Sequence, residues 1–441
     1  MSLDTISTLD NYFKEQYLKD GLQKVMPDYA PLMSSVPFVG GSEKAGSELV
    51  FPILTSREHG FTALGQIGQQ NSLRTATVAQ SRQARVKSFG FMGRTQIDNL
   101  SISRAVEGSQ SFIDALQYKI QNLQESFAVV NEVMLSYGQE GLGVVATGAE
   151  AAGTYGGTIF SNGFSGTKVK IAAKHFADHV WIGSEGMPVE MFATNAVGVV
   201  SVLNASIINY DIENEWIELD TLGGLADVRG YFIYRAGFKD NEGPGLLRIL
   251  KQSASSASLF DVASSNTPLW RTSQYDVADQ YLSFEMIADG VSRAVGRGLA
   301  SRLVLHVHPQ VFAGLMPDFN TIKASGSDFK SRMFTTAAET KQLEAGMVGL
   351  KFYVGGVELD VVANPFVRKG FAMGVADGEL KRAGSSDITY DIPGEQTARY
   401  FHRLENVAGL ELRIFADQTL FSRSLNKFIL FSNCKTDLPS A

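Results

Sequence analysis

His306 and His308 stand two positions apart, and in an extended strand side chains at i and i+2 face the same way. Such a pair could offer two imidazoles to a zinc-like ion, which normally takes three or four protein ligands. No third His, Asp or Glu stands close by in the sequence, and Pro309 starts a helix at once, so a structural role is expected for both. His175 and His179 would share one face of a helix, but Phe176 occupies the place of the glutamate in a zinc-protease helix. Asp220, Asp227 and Asp240 sit near turns without the spacing of a calcium loop, and solvated turns are expected there. Gly153-Thr154-Tyr155-Gly156-Gly157 is rich in glycine, yet it has no lysine and follows no clear strand, so it reads as a flexible loop rather than a phosphate cradle. The single Cys434, expected as a partly buried thiol, leaves no intrachain disulfide framework and no cysteine-rich zinc site. No nucleophile with a base, Walker loop, dinucleotide fingerprint or G-x-S-x-G elbow is present. An enzyme is disfavoured, and no metal or cofactor is expected.

A different kind of pattern lies between Gly60 and Ile97. This stretch has no Asp or Glu, yet it carries Arg74, Arg82, Arg85, Lys87 and Arg94, in a chain whose formal net charge is −7. A basic ribbon on an acidic protein suits a surface that lies on something negative, and another copy of the chain is one such partner. A merely solvated face is the equal alternative on charge alone.

The elements that must position these residues follow from composition and periodicity. A chain of 441 residues exceeds what one core usually serves, so two or three lobes are expected. Charged residues make up 19%, somewhat below a typical quarter, so much of the polar surface is Ser, Thr, Gln, Asn and Gly, as in proteins that bury surface against neighbours. No apolar run approaches the roughly 18 residues of a membrane span, and no signal peptide is visible, which predicts a soluble product made in the cytoplasm. Overall acidity argues against a dedicated nucleic-acid binder.

Residues 2–46 read as an arm. Leu9, Tyr12, Phe13, Gln16 and Tyr17 support a short amphipathic helix, and Pro27, Pro31 and Pro37 then predict extended chain. Leu32, Met33, Val36 and Phe38 cannot be buried locally, so the arm must pack on another domain or subunit. Residues 48–52 and 78–93 read as the strands of a long hairpin with a glycine-rich tip at 65–68, Ala84, Val86 and Ser88 alternating with Arg85 and Lys87. Such a two-stranded ribbon is marginal in water unless something covers it.

Phe112, Leu116, Ile120, Leu123, Phe127, Val130 and Met134 recur at helical spacing and predict one long helix over 111–137. Ser109 or Ser111 would cap it, and Gly138 would end it in a left-handed conformation. Short β-runs follow at 197–203, 206–210, 216–219 and 231–234, a small barrel or sandwich inserted in a larger domain. From about 280 the texture is α/β: helices at 284–295 and 309–315, and strands at 303–307, 350–354, 357–362 and 371–375. Strands at 410–417 and 425–431 close the chain.

The order of these parts resembles the major capsid proteins of tailed bacteriophages, which share the Hong Kong 97-type fold. The likeness rests on the arm, the acid-poor hairpin and a long helix ending in Val133-Met134-Leu135-Ser136-Tyr137-Gly138-Gln139-Glu140-Gly141-Leu142-Gly143. It rests also on Gly245-Leu246-Leu247-Arg248-Ile249-Leu250, on Leu303-Val304-Leu305 before His308-Pro309-Gln310, and on the closing stretch from Leu410-Glu411-Leu412-Arg413 to Phe431. The motifs are individually weak, and only their order is specific.

The resemblance implies an α+β, Hong Kong 97-like capsid fold with seven segments. These are an amino-terminal arm (1–46), an extended-loop hairpin (47–98), a peripheral domain with its spine helix (99–167), a β-rich insertion (168–237), a continuation of the peripheral domain (238–276), an axial domain (277–395) and carboxy-terminal peripheral strands (396–441). It implies a shell subunit assembling with itself into hexamers and pentamers around double-stranded DNA, bound without sequence specificity and without a membrane. A portal protein is implied as a partner, and decoration proteins are compatible with such a shell.

Family members with a fused scaffold carry a charged helical segment before the arm; this chain opens with the arm, so a separate scaffolding protein is expected. The ribbon holds only Lys87 as a cross-linking amine, so non-covalent assembly is expected. The ribbon's Arg74, Arg82, Arg85, Lys87 and Arg94 would meet acidic residues of a neighbour, with Asp114, Glu125 and Glu132 on the long helix as candidates. The expected location is the virion capsid, assembled in the host bacterial cytoplasm. An encapsulin-like cargo shell and a multidomain β-rich enzyme are the alternatives.

Overall fold

The computed structural model describes residues 31–39, 48–63, 72–98, 110–315, 349–390, 401–404 and 409–436. The amphipathic helix expected near residues 9–17, the hairpin tip at 65–68 and the Ser109 cap lie outside them.

The long helix runs Gln110–Tyr137, 28 residues without Gly or Pro, or about 42 Å at ~1.5 Å per residue. Phe127 and Met134 are buried as the period predicts, but over the last two turns Asn131, Glu132, Leu135, Ser136 and Tyr137 are buried too. The helix therefore ends inside the molecule. Its end also differs from expectation, because the left-handed residue is Gln139 (φ 67°) and not Gly138. Gly138 is required for space: a Cβ there would stand 2.1 Å from the Gly243 carbonyl oxygen, and one on Gly245 would stand 2.4 Å from the Gly138 nitrogen. The Gly245 N–H donates to the Gly138 carbonyl at 2.9 Å, and this backbone crossing leads into the short helix Leu246–Leu250, four of whose residues are buried.

Among the described residues, a five-stranded sheet is organised around the strand Gly409–Ser422. Phe89–Asp98 pairs along one side of it, and Leu380–Thr389 and Phe401–Arg403 pair along the other. The expected return strand of the hairpin is thus two strands. Ser81–Lys87 pairs antiparallel with Glu48–Leu54, while Phe89–Asp98 leaves for this sheet. Phe91 stacks on Phe127 at 4.4 Å, joining the sheet to the long helix. The arm enters through Phe38–Val39, paired parallel with Arg382 and Ala383. Before that, residues 31–35 form a short helix instead of extended chain, since Pro31 lacks only an N–H that the first helical position does not use.

A seven-stranded sheet holds the β-rich region and begins before residue 168, at Gly143–Val144 and Phe164–Ser165. Its long strands are Pro188–Phe192 and Leu203–Asp211. Residues 197–202, expected as strand from their valines, form a loop instead, with Gly198 at φ 77° and Val197 and Val200 exposed. A six-stranded sheet has the order Ser273–Asp276, Ile429–Ser432, Phe371–Ala376, Leu303–Val307, Val357–Ala363, Gly349–Val354. Helix Phe284–Gly296 packs on it, capped by the Ser283 hydroxyl, which accepts the Met286 N–H. The stretch 425–431, expected with the closing strands, supplies an inner strand of this α/β sheet after a short 3-10 turn at Leu425–Lys427.

Candidate functional site

The ribbon of Glu48–Leu54 and Ser81–Lys87 presents two unlike faces. Phe51, Ala84 and Val86 point inward and are buried, Arg85 and Lys87 alternate with them on the exposed side, and Arg82 is exposed further along the inward-facing row. The Arg85 backbone N–H donates to the Phe260 carbonyl at 3.0 Å, so this end of the ribbon is tied down while its cations face out. Beyond the regular strands the two chains stay together through Thr55 N–H to the Gln80 carbonyl (2.8 Å) and Arg74 N–H to the Thr62 hydroxyl (2.8 Å). The second bond sets Leu73 and Arg74 beside Phe61 and Thr62. Phe61, Leu73 and Val78 are 79%, 79% and 74% exposed. Lys87 lies 3.4 Å from Glu48 of the same ribbon. Arg94 belongs to the five-stranded sheet, opposite Arg413; against its burial, the Glu411 carboxyl is held below its ordinary range by hydrogen bonds from Arg413 and Gln96, with Arg94 adding its charge.

The helix acids divide. Glu132, expected to meet a neighbouring copy, is fully buried and is used within the chain: its carboxylate accepts the N–H groups of Leu32 and Met33, both at 2.7 Å. A carboxylate in the enclosed half of the helix needs internal partners, and the arm supplies them. Burial pushes its pKa up to about 7, against the two N–H groups and the nearby Arg382 guanidinium, which lower it. Arg382 in turn donates to the Val36 carbonyl at 2.9 Å and to the Gln418 side chain at 3.0 Å. Gln418 donates to Asn131 at 2.6 Å, which completes a buried polar anchor for the arm. Glu125 is half-buried on the helix, and the Asp114 side chain lies outside the described part.

The histidines do not converge on a metal site. His306 is buried in strand Leu303–Val307, which drops its pKa to about 4. His308 lies past the strand end, where its Nδ1 accepts the Gln310 N–H at 3.2 Å as a helix cap and its Nε2 lies 3.2 Å from Asp178. His175 and His179 fall on separate short helices, Ala173–His175 and Asp178–Trp181. Among the described residues no group of three or more His, Cys, Asp or Glu is placed to hold a metal. Asp220, Asp227 and Asp240 each accept a backbone N–H, from Ser206, Arg229 and Gly198. The glycine-rich 153–157 segment is part of a hairpin, Gly153–Tyr155 with Thr158–Phe160, turned by Gly156 and Gly157 at positive φ. Cys434 is wholly buried, which pushes its thiol up to about 12.

Sequence reasoning missed the junction of the sheets. Arg368 is fully buried, lies 4.3 Å over the Tyr137 ring and donates to the Gly141 carbonyl at 2.6 Å. The Tyr137 hydroxyl donates to the Phe366 carbonyl. Next door, Lys369 pairs with Glu215 at 2.7 Å and Glu215 with Lys170 at 3.1 Å, which joins the seven-stranded sheet to the same loop. An Arg-Lys pair in a loop reads as solvated, and no local signal distinguishes it.

A cleft of about 140 Å³ opens along one face of the long helix. Val129, Val130 and Val133 form its helix wall, and Ser184, Tyr234 and Glu242 face them. Glu242 is 5% exposed; its carboxylate accepts the Gln139 N–H at 2.7 Å and has no ion-pair partner among the described residues. Burial, reinforced by Asp240, pushes its pKa up to about 8. The Ser184 hydroxyl is buried without a hydrogen-bond partner among the described residues.

No protein-family model matches the chain, and no curated protein matches it. Among solved structures it is similar to a capsid protein of cyanophage A-1(L), with 10% identity and a TM-score of 0.50 over 95% of this chain and 99% of that one. It is also similar to a chain of mycobacterium phage Bobi (10% identity, TM-score 0.43, 97% of each chain). A chain of the holo-SrpI encapsulin complex from Synechococcus elongatus PCC 7942 matches with 8% identity and a TM-score of 0.40, over 100% of this chain and 99% of that one. The first likeness carries the fold: the chain has the α+β Hong Kong 97-type architecture expected from the order of its parts.

Proposed function

We propose that this chain is the major capsid protein of a tailed bacteriophage and assembles with copies of itself into the icosahedral shell around double-stranded DNA. The observation that carries the proposal is the fold, shared with a cyanophage capsid protein over 95% of the chain. Hexamers and pentamers, a separate scaffolding protein, a portal protein and assembly in a bacterial cytoplasm complete it as expectations for such a subunit.

The surface chemistry fits. A ribbon with Arg85 and Lys87 on its outward face, Arg82 exposed beside them and Arg74 further out calls for an acidic partner, and Glu125 and Asp114 remain the helix candidates on a neighbouring copy. A net charge of −7 disfavours tight adhesion of packaged DNA to the wall, since phosphate affinity follows basic charge.

Electron microscopy of the purified protein tests this. Closed shells are expected, and small monodisperse particles under every assembly condition would overturn the proposal. Shells that enclose a protein cargo and never DNA would favour the encapsulin-like alternative. The double variant Arg82→Glu, Arg85→Glu should fold and fail to form shells; normal shells from it would remove the ribbon's charge from the assembly contact.

A further inference from the structure

The cleft beside the long helix is walled by three separate parts of the chain, within residues 125–142, 179–187 and 234–242. Val129, Val130 and Val133 make its helix side apolar and half-buried. Its volume, about 140 Å³, is close to that of apolar cavities that take up a benzene ring.

The remaining lining is polar, and much of it is unused. The Ser184 hydroxyl and the His179 Nδ1 both line the cleft, and both are buried without a hydrogen-bond partner among the described residues. Glu242 is 5% exposed; one of its oxygens accepts the Gln139 N–H at 2.7 Å, and the carboxylate has no ion-pair partner among the described residues. Burial pushes its pKa up to about 8, so it holds a proton where no cation neutralises it. Burial also keeps His179 below its ordinary range, so its imidazole is neutral and one ring nitrogen is an acceptor. Arg235 lines the cleft as well, but its guanidinium lies 5.8 Å from the Phe238 ring centroid and forms no ion pair with Glu242.

Buried polar groups without partners are destabilising, and a ligand that supplies the partners removes that penalty. An ammonium group has three donors, one positive charge and no acceptor, which complements a carboxylate, a hydroxyl and a neutral imidazole. An anion would meet Glu242 as a like charge, and an uncharged molecule would leave the carboxylate without a counter-ion.

We infer that the cleft is a binding site for a small apolar amine, its ring-sized apolar part against the helix valines and its ammonium on Glu242. The Ser184 hydroxyl and the His179 Nδ1 are the further acceptors on offer. The inference stands apart from the shell proposal. Such a ligand touches all three walls, so it stabilises the folded subunit by mass action.

Calorimetric titration of the isolated subunit with benzylamine, benzyl alcohol and benzoate tests the assignment, since the three share a ring and differ in charge. Benzylamine is expected to bind, benzyl alcohol to bind about tenfold more weakly or worse, as for loss of a charged hydrogen bond, and benzoate not to bind. Glu242→Gln keeps an acceptor for the Gln139 N–H and should abolish the preference for the amine. Val130→Trp should fill the cleft and abolish binding of every probe, which keeps the test decisive if Glu242→Gln does not fold. No heat from benzylamine, equal affinity for the alcohol or the benzoate, or unchanged amine binding by either variant would overturn the inference. None of these outcomes bears on whether the chain forms shells, so the capsid proposal would stand.

Discussion

Glu132 accepts the backbone N–H of Leu32 at 2.7 Å although 100 positions separate the two residues. The same carboxylate takes the Met33 N–H, so one side chain of the long helix holds the start of the arm's short helix. Glu132→Ala would leave two buried donors unsatisfied, each costing about 1–3 kcal/mol. The expected outcome is a subunit with unchanged helical circular dichroism whose arm is cut by protease within 31–39. Glu132→Gln, which keeps one acceptor oxygen, should be intermediate. An arm equally protected in all three proteins would show that the carboxylate does not anchor it.

Arg368 ties the end of the long helix to the loop after strand Val357–Ala363 through the Tyr137 ring and the Gly141 carbonyl. Removing a fully buried cation from such a site leaves its acceptors unpaired, so Arg368→Leu should cost about 3–5 kcal/mol. Urea unfolding of the isolated subunit measures it, and an unchanged midpoint would contradict the junction's role.

The crossing of Gly138 and Gly245 admits no side chain. Gly245→Ala would put a Cβ 2.4 Å from the Gly138 nitrogen, a contact that must displace backbone and should cost about 1–3 kcal/mol or more. Gly296→Ala is the matched control, because a Cβ there meets nothing within 4 Å. It should be neutral or slightly stabilising. Equal midpoints for the two variants would refute the steric account.

Glu242 gives the isolated subunit a pH dependence of defined sign. Its native pKa, raised from 4.5 to about 8, means that the folded chain keeps a proton which the unfolded chain releases. The stabilisation from this group is complete below the unfolded value and is lost as pH rises through about 8. Glu242→Gln has no proton to lose. Relative to that variant, unaltered protein should lose stability between about pH 5 and about pH 9, read from urea midpoints. Parallel curves would show that Glu242 does not titrate this way.

What was legible in the chain was local. The strand at 303–307 and the helix at 284–296 carry their own periodicity, and their observed bounds nearly coincide with the expected ones. Arg85 and Lys87 face outward in alternation with Ala84 and Val86 because a strand imposes a period of two. Glu132 misled because a glutamate on a helix reads as solvent-facing, and its partner is an arm segment 100 positions earlier. Residues 89–93, expected in the hairpin's return strand, belong instead to Phe89–Asp98 for the same reason, as its neighbour, Gly409–Ser422, follows some 300 residues later. The valines of 197–202 have strand propensity but no sheet to bury them, and Gly198 at φ 77° turns the chain away.

The strand Ile429–Ser432 lies between Ser273–Asp276 and Phe371–Ala376, inside the six-stranded sheet. Synthesis must therefore have passed residue 432 before that sheet can close. Domains generally fold as units during synthesis, but here the strand from 273–276 waits more than 150 residues for its neighbour. Until then one edge of Phe371–Ala376 waits for the strand that will lie beside it.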